Sequence, residues 1–387
     1  MTHVIDHTKG QMVGAVSAQW ASRPDDQKFL SLSELRGKVA EYAAQSRTID
    51  VLPQEIVASY DAANPSILRI GMEGCADLEP THWGFDQIAR VAGAPASYLR
   101  ELPGPLAALN LNYGLKVADA KPVQAYVREN GSTSLRGITS TKYGRILDRD
   151  VADAVINVAG NGTGDTRWKV PGVIEWGNKF GVSYNPNVDI TRENTTLYAS
   201  DRDLFIFLVD DLNPIEVGKL ANGQPDLMFR GFYVWNSEVG SRTYGFASMY
   251  LRGVCQNRNL WGVEGFNEIV FKHTAMAPER FEVEAEPALV EFAGGATDKV
   301  VKGVAAAKKA IAAKTDEDRL EFLGKLGFSQ KAAKNIIDTS IVEEQKAPES
   351  LWDFAQGISA AARKLDFQDQ RLKMEAIAGA VLDKVAA

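Results

Sequence analysis

Apolar and polar positions change their period several times along this chain, and each change marks a different kind of structure. Up to about Arg23 the residues are polar, with Gly and Ser among them, and no period emerges. Residues 31–46, SLSELRGKVAEYAAQS, then space their apolar positions helically behind Ser31 or Ser33. Either hydroxyl can accept from the first free helical N–H groups. From Ile67 the units shorten. ILRIGM reads as a strand, WGFDQIARVAG as a helix stopped by Gly93, and PASYLRELP as a second helix ended by Pro103. LAALNLNYGLKV follows, and after it the pattern changes.

Between about Pro122 and Phe271, short β-type runs dominate: VQAYVR, LRGITS, TRWKV, GVSYN, TTLYAS, LFIFLV, FRGFYVW and the segment after Gly240. One helix interrupts them, DVADAVINVAG, capped by Asp148 or Asp150 and followed by the loop NGTGD. After about Ala285 alanine, lysine and glutamate take over with a 3.6-residue period. Thr315 before Asp316, Glu317 and Asp318 reads as a helix start, Gly327 as a stop, and Ser329 as the next start. FLGKLGFSQKAAKNIID is then a helical hairpin, with few side chains suited to base readout.

The predicted class is α+β: a mainly antiparallel sheet core with a helical N-terminal module and a helical C-terminal domain. The expected divisions are an arm and helix over 1–50, a small helical module over 51–118, the β-rich core over 119–285 and the helical domain over 286–387.

Composition narrows the function classes. A chain of 387 residues that is 45% hydrophobic can bury substantial cores. No stretch approaches the roughly 20 apolar residues that cross a bilayer, and MTHVIDHTKGQMVG lacks a basic start followed by an apolar run. A cytoplasmic protein without a membrane partner is expected. Cys75 and Cys255 stand far apart and outside any paired motif, which agrees with a reducing compartment. The net charge of -7 argues against indiscriminate polyanion binding and leaves local basic patches open.

Candidate chemistry concentrates in residues 229–274, where Asn236, Glu238, Cys255, Asn257 and His273 sit among aromatic and aliphatic neighbours. Buried polar groups need partners, so these five are expected to form a structural polar cluster. A Cys255 nucleophile with His273 as base lacks a family-specific spacing. Metal chemistry is equally weakly drawn. His3, His7, His82 and His273 show no ligand spacing. If LFIFLV is one strand, Asp203 and Asp210 stand roughly 23 Å apart, and solvation at the strand ends is expected for both. Gly160, Gly162 and Gly164 follow a helix and precede a strand, the reverse of a phosphate loop. No catalytic residue, metal ligand or cofactor is expected.

Three segments carry a resemblance when taken together: SLRGITSTKYGRILDRDVADAV, LRGVCQNRNLW with FKHT after it, and LWDFAQGISAAARKLDFQDQRLKMEAIAG. In this order they resemble the phage/plasmid-like protein family catalogued as domain of unknown function 932, over roughly residues 65 to 385. The marker residues are Arg136, Ser140 and Tyr143, then Cys255 and Asn257, then His273. The resemblance implies a mobile-element setting and shifts the expectation toward DNA handling.

Arginine and lysine alternate with aromatics in the β-rich middle, and such a mixture can neutralise phosphates and stack unpaired bases. The leading expectation is single-stranded DNA binding without chemistry, in support of annealing or recombination, by Arg128, Arg136, Lys142, Arg145, Arg242 and Arg252. The alternative is a structural or protein-interaction factor that docks through its helical C-terminal region. A hydrolase is third. A homo-oligomer is possible in either of the first two cases.

Overall fold

The computed structural model describes residues 23–65, 67–129, 133–163, 166, 168–170, 174–175, 183–184, 190–192, 195–210, 213–219, 223, 225–252, 258–259, 269–277, 279–280, 283–284, 287, 290–291, 298–365 and 368–384. Helix α1, Leu32–Ala44, begins as its sequence predicts. The Ser31 hydroxyl accepts from the Glu34 N–H at 3.1 Å, and the Glu34 carboxylate accepts from the Leu30 N–H at 2.6 Å. Its buried face is Leu32, Leu35 and Val39.

Four strands follow, β1 (Ser46–Val51), β2 (Val57–Tyr60), β3 (Leu68–Met72) and β4 (Cys75–Pro80). Helices α2 (His82–Val91), α3 (Ala96–Glu101) and α4 (Gly104–Val117) come next, and β5 (Val123–Glu129) and β6 (Thr133–Ser140) complete a six-stranded sheet. Its order is β1-β5-β6-β4-β3-β2, antiparallel except where β4 meets β6. Phe85, Ile88, Leu99, Leu111 and Leu115 from the helices pack on Ile70, Leu78, Val127, Leu135 and Ile138. The expected boundaries near 50 and 118 therefore dissolve. The 51–118 module contributes three strands, β2, β3 and β4, to a sheet that β6, β5 and β1 extend beyond β4.

LAALNLNYGLKV is the larger part of α4. Gly114 permits its approach to the end of α2, since a Cβ there would lie 2.0 Å from the Ala92 carbonyl oxygen. Helix α4 also closes the sheet edge. Asn112 accepts from the Ala58 N–H at 2.7 Å and donates to the Ala58 carbonyl at 2.8 Å, so its amide stands in for a further strand beside β2.

Helix α5, Asp148–Ala159, ends at Gly160 with φ +71°. The second sheet centres on β7 (Leu204–Asp210), β8 (Pro225–Asn236) and β9 (Tyr244–Arg252), all antiparallel, with shorter strands that include Lys28–Phe29 and Leu197–Ala199. Strand β7 is buried on both faces, which explains its continuous apolar run. Leu204, Ile206, Leu208, Phe232 and Val234 pack against α1 and α5. On the opposite face Phe205, Phe207, Tyr233 and Trp235 form a ladder with successive ring centroids 6.4, 5.2 and 5.2 Å apart.

The C-terminal region contains α6 (Asp298–Lys309), α7 (Asp316–Lys325), α8 (Gln330–Glu344), α9 (Leu351–Arg363) and α10 (Gln368–Asp383). Thr315 and Ser329 cap α7 and α8, and Gly327 lies between these helices at φ +92°. The region is not a separate ball: Val304, Leu323, Ile336, Phe354 and Leu382 share a core with Ile215, Val217, Met228 and Tyr250. Among the described residues no helix is long and apolar enough to cross a membrane.

Candidate functional site at the junction of the two sheets

Arg136 occupies the extra position of a β-bulge. Opposite β5, the register passes from Tyr126↔Gly137 to Val127↔Leu135 and skips it. The bulge shifts the alternation so that Leu135 and Ile138 both face the helices, while Arg136 is turned toward the second sheet. There its Nη1 donates to Glu238 Oε2 at 2.6 Å, and Nη2 donates to the Asp201 carbonyl at 3.1 Å. Arg136 is 1% exposed and Glu238 2%.

Glu238 sits in the turn after β8 and collects donors from three elements. Besides Arg136 it accepts from the Tyr126 hydroxyl at 3.2 Å and from the Asp148 N–H at 3.0 Å. Its own carbonyl accepts from Arg145. The next carbonyl, that of Val239, accepts from Trp83 Nε1 at 2.9 Å and Gln87 Nε2 at 2.8 Å, and Gln87 Oε1 accepts from the Ile138 N–H at 2.7 Å. The turn is thus fastened to α2, β5, β6 and α5 together. Asn236 extends the cluster by donating to Asp148 Oδ1 at 2.7 Å and to the Ile146 carbonyl at 2.9 Å.

The electrostatics follow this packing. Burial opposes charge on Arg136, but the Glu238 carboxylate outweighs it and raises the guanidinium above its ordinary value. Burial, together with Glu238, pushes the Tyr126 phenol up to about 12. Asp148 lies well above the usual carboxylate range, first because it is buried and then because Glu238 is close by. His273 is lowered to about 4 by burial, which Arg145 reinforces and a hydrogen bond to the Gly144 carbonyl opposes. That bond is 3.1 Å long and runs from Nδ1, which therefore carries the proton; the ring stacks on Tyr143 at 4.8 Å.

The six cations expected to contact DNA do not line one groove. Arg128 is buried with Nη1 2.5 Å from Asp201 Oδ1, and Arg136 lies behind it. Arg145 is half-buried over the Tyr126 ring at 4.0 Å, and burial lowers its pKa. Arg242 lies 3.8 Å from Asp203, which Arg23 also holds at 2.9 Å. Arg252 belongs to a different junction. It donates to Asp226 at 2.8 Å and to Glu344 at 2.6 Å, and it ties the second sheet to α8. Lys142 is exposed. Internal carboxylates hold the arginines because desolvated guanidinium groups require countercharge.

Of the expected polar cluster, Asn236 and Glu238 meet at Asp148, while His273 stands beside them on Gly144 and Tyr143; Cys255 and Asn257 lie outside the described residues. Asp203 and Asp210 are not solvated strand ends. Both are buried, Asp203 against Arg23 and Arg242, and Asp210 accepting from Asn213 at 3.0 Å. Sequence reasoning did not assign Trp83, Gln87, Tyr126, Asp148 or Asp201 to the site. The spacing of Trp83 and Gln87, which puts them on one face of α2, was the available signal.

A shallow cleft of about 520 Å³ lies elsewhere, at Tyr60, Asp61, Arg69, Asp77, Glu79 and Thr133. Arg69 stands between Asp61, at 3.7 Å, and Glu79, and supplies the countercharge that a bound cation would have to replace. Among the described residues, no group of three or more His, Cys, Asp or Glu is placed to hold a metal ion. The junction is built to join: its polar groups are directed largely at one another and link the two sheets. Compared with family models, curated proteins and solved structures, the chain matches none.

Proposed function

We propose that the protein is an interaction factor, set in a phage, plasmid or other mobile element by the resemblance noted above, whose docking surface is the outer face of α4. The observation that carries this reading is an apolar stripe. Leu106, Leu109, Tyr113 and Val117 fall on one helical face and are 47%, 64%, 72% and 65% exposed. Contiguous apolar surface of this kind marks interaction sites. The arginine clasp then serves to hold the scaffold that presents the stripe.

Immobilised parent protein and a Leu109→Glu variant, exposed to a host extract, test this reading. A partner retained by the parent and lost by the variant is expected; identical retention on both, or none on either, overturns it.

Single-stranded DNA binding is the second reading. It is the expectation from the sequence, and against it stand the burial of the aromatic ladder, whose four rings are 1% to 7% exposed, and the internal carboxylates that hold Arg128, Arg136 and Arg252. Fluorescence anisotropy with a labelled oligonucleotide over a salt series tests it, because phosphate contacts weaken steeply with salt. No binding at low salt rejects it.

A further inference from the structure

We infer that the outer edge of β1 takes up an extended segment of a partner protein, one that alternates apolar with basic side chains and adds as a further antiparallel strand. The edge lies at the opposite end of the sheet order from β2, against which the α4 stripe is set, and it is a second docking site beyond the interaction reading.

The other edges show what this one lacks. At β2, Asn112 engages both the N–H and the carbonyl of Ala58. On the edge strand Ile215–Lys219, Lys308 Nζ donates to the Val217 carbonyl at 3.0 Å, and at the short strand Lys28–Phe29, Arg192 donates to the Lys28 carbonyl. Side chains thus occupy backbone groups that would otherwise invite pairing.

No such group reaches β1 among the described residues. The Gln45 carbonyl accepts from the Glu129 N–H at 2.9 Å, and the pairing runs on without a shift from Ser46↔Arg128 to Val51↔Val123. In that ladder Arg47, Ile49 and Val51 turn their backbone groups toward β5, and Ser46, Thr48 and Asp50 turn theirs outward. Thr48 and Asp50 are exposed. The strand has no proline and no bulge, and its charged side chains do not guard the edge. Arg47 is drawn back onto Glu129 Oε1 at 3.2 Å and the Gly74 carbonyl at 3.0 Å.

The side chains state the chemistry of the occupant. Asp50 accepts from Gln124 at 3.2 Å and is paired with no cation among the described residues, so a lysine or arginine opposite it completes the pair. On the other face Ile49 packs against the core but stays half-buried, and an apolar neighbour on the added strand covers the rest. Main-chain hydrogen bonds to Thr48 and Asp50 supply the attachment.

The purified full chain and a labelled peptide, Val-Lys-Val-Thr-Val-Thr, test the proposal by fluorescence anisotropy. Saturable binding is expected, with slowed hydrogen exchange at Thr48 and Asp50. N-methylation of the first threonine, whose N–H faces β1, should weaken binding about tenfold or more, and N-methylation of the valine before it should change little. Glutamate in place of the lysine should cost about fivefold. Thr48→Pro should abolish binding and keep the fold, because that N–H takes no part in the ladder with β5. No saturation up to about 1 mM overturns the site. Equal weakening by the two N-methyl groups also overturns it, whether or not the proline variant folds, as does unchanged binding to a folded Thr48→Pro. A glutamate peptide that binds as well as the lysine one overturns the basic partner, as does a parent dimer in analytical ultracentrifugation that Thr48→Pro dissolves, which puts a second copy on the edge. Leu109→Glu should bind the peptide as the parent does, so failure here and failure of the α4 reading are separate results.

Discussion

Replacing Glu238 by glutamine is the most direct test of the junction. The substitution keeps the shape of the side chain and removes its charge. Arg136, 1% exposed, would then have the Asp201 carboxylate, 3.7 Å from its Nε, as its remaining countercharge at the junction. Glutamine also turns an N–H₂ group toward donors, because the carboxylate accepts from Arg136, the Tyr126 hydroxyl and the Asp148 N–H. Breaking a buried ion pair from one side costs about 3 to 5 kcal/mol, and we expect a loss near the lower end because Asp201 remains. The assay is urea unfolding followed by tryptophan fluorescence at pH 7. The companion variant Arg136→Met/Glu238→Leu removes both charges and should lose less than the single change, about 2 kcal/mol, since the groups left without a partner, the Tyr126 hydroxyl, the Asp148 N–H and the Asp201 carbonyl, are neutral. A single-variant loss below about 1 kcal/mol, or a double variant as damaged as the two single changes added together, would refute the account of a coupled buried pair.

Other consequences follow from the same region. Asp148→Asn should stabilise the protein more at pH 8 than at pH 5. The folded carboxyl titrates above its ordinary value, so the stability it confers is present below the unfolded pKa and is lost as pH rises through the folded one; equal effects at both pH values would count against this. His273→Gln should flatten the acid limb of stability. With the folded imidazole near 4 and the unfolded near 6.5, its contribution is complete above about 6.5 and declines toward 4, by about 1 to 2 kcal/mol after allowance for partial exposure. Parallel midpoint-versus-pH curves for parent and variant would exclude that role. Gly144→Ala should destabilise by more than about 2 kcal/mol, because a Cβ would meet the Thr274 carbonyl oxygen at 1.4 Å and separate the two backbones. Arg252→Met should raise hydrogen exchange in α8 and α9 before it alters exchange in β5 and β6; a uniform increase would show that the junctions are not separate.

Much of the fold is legible because local signals agree with it. Ser31, Thr315 and Ser329 announce helices that form, Gly93, Gly160 and Gly327 mark their ends, and the apolar run of β7 is deeply buried. The first sheet was hidden because its pairing is non-local: β1 meets β5 across more than seventy residues of intervening chain. Strand alternation could not place Arg136 either, since a bulge interrupts the alternation at that residue. Reading Arg128, Arg136 and Arg252 as solvent-facing assumed that guanidinium groups avoid the interior. Asp201, Glu238 and Asp226, all distant in sequence, remove that restriction. The polar cluster was foreseeable in part, because Asn236 and Glu238 interrupt an aromatic run that had to be buried. Which residues answer them depends on tertiary contacts that no local pattern encodes.

Glu238 lies 102 residues beyond Arg136, and this distance has a consequence during synthesis. A ribosome that adds roughly 5 to 20 residues per second completes the first sheet about 5 to 20 seconds before the turn that neutralises it emerges. Through that interval Arg136 stands on the nascent sheet without Glu238, and Asp201, 65 residues beyond it, is translated about two-thirds of the way through. The half-made protein carries guanidinium groups on its first sheet that lack the partners they have in the finished one. The second sheet then arrives as an internal counterion that ends the exposure.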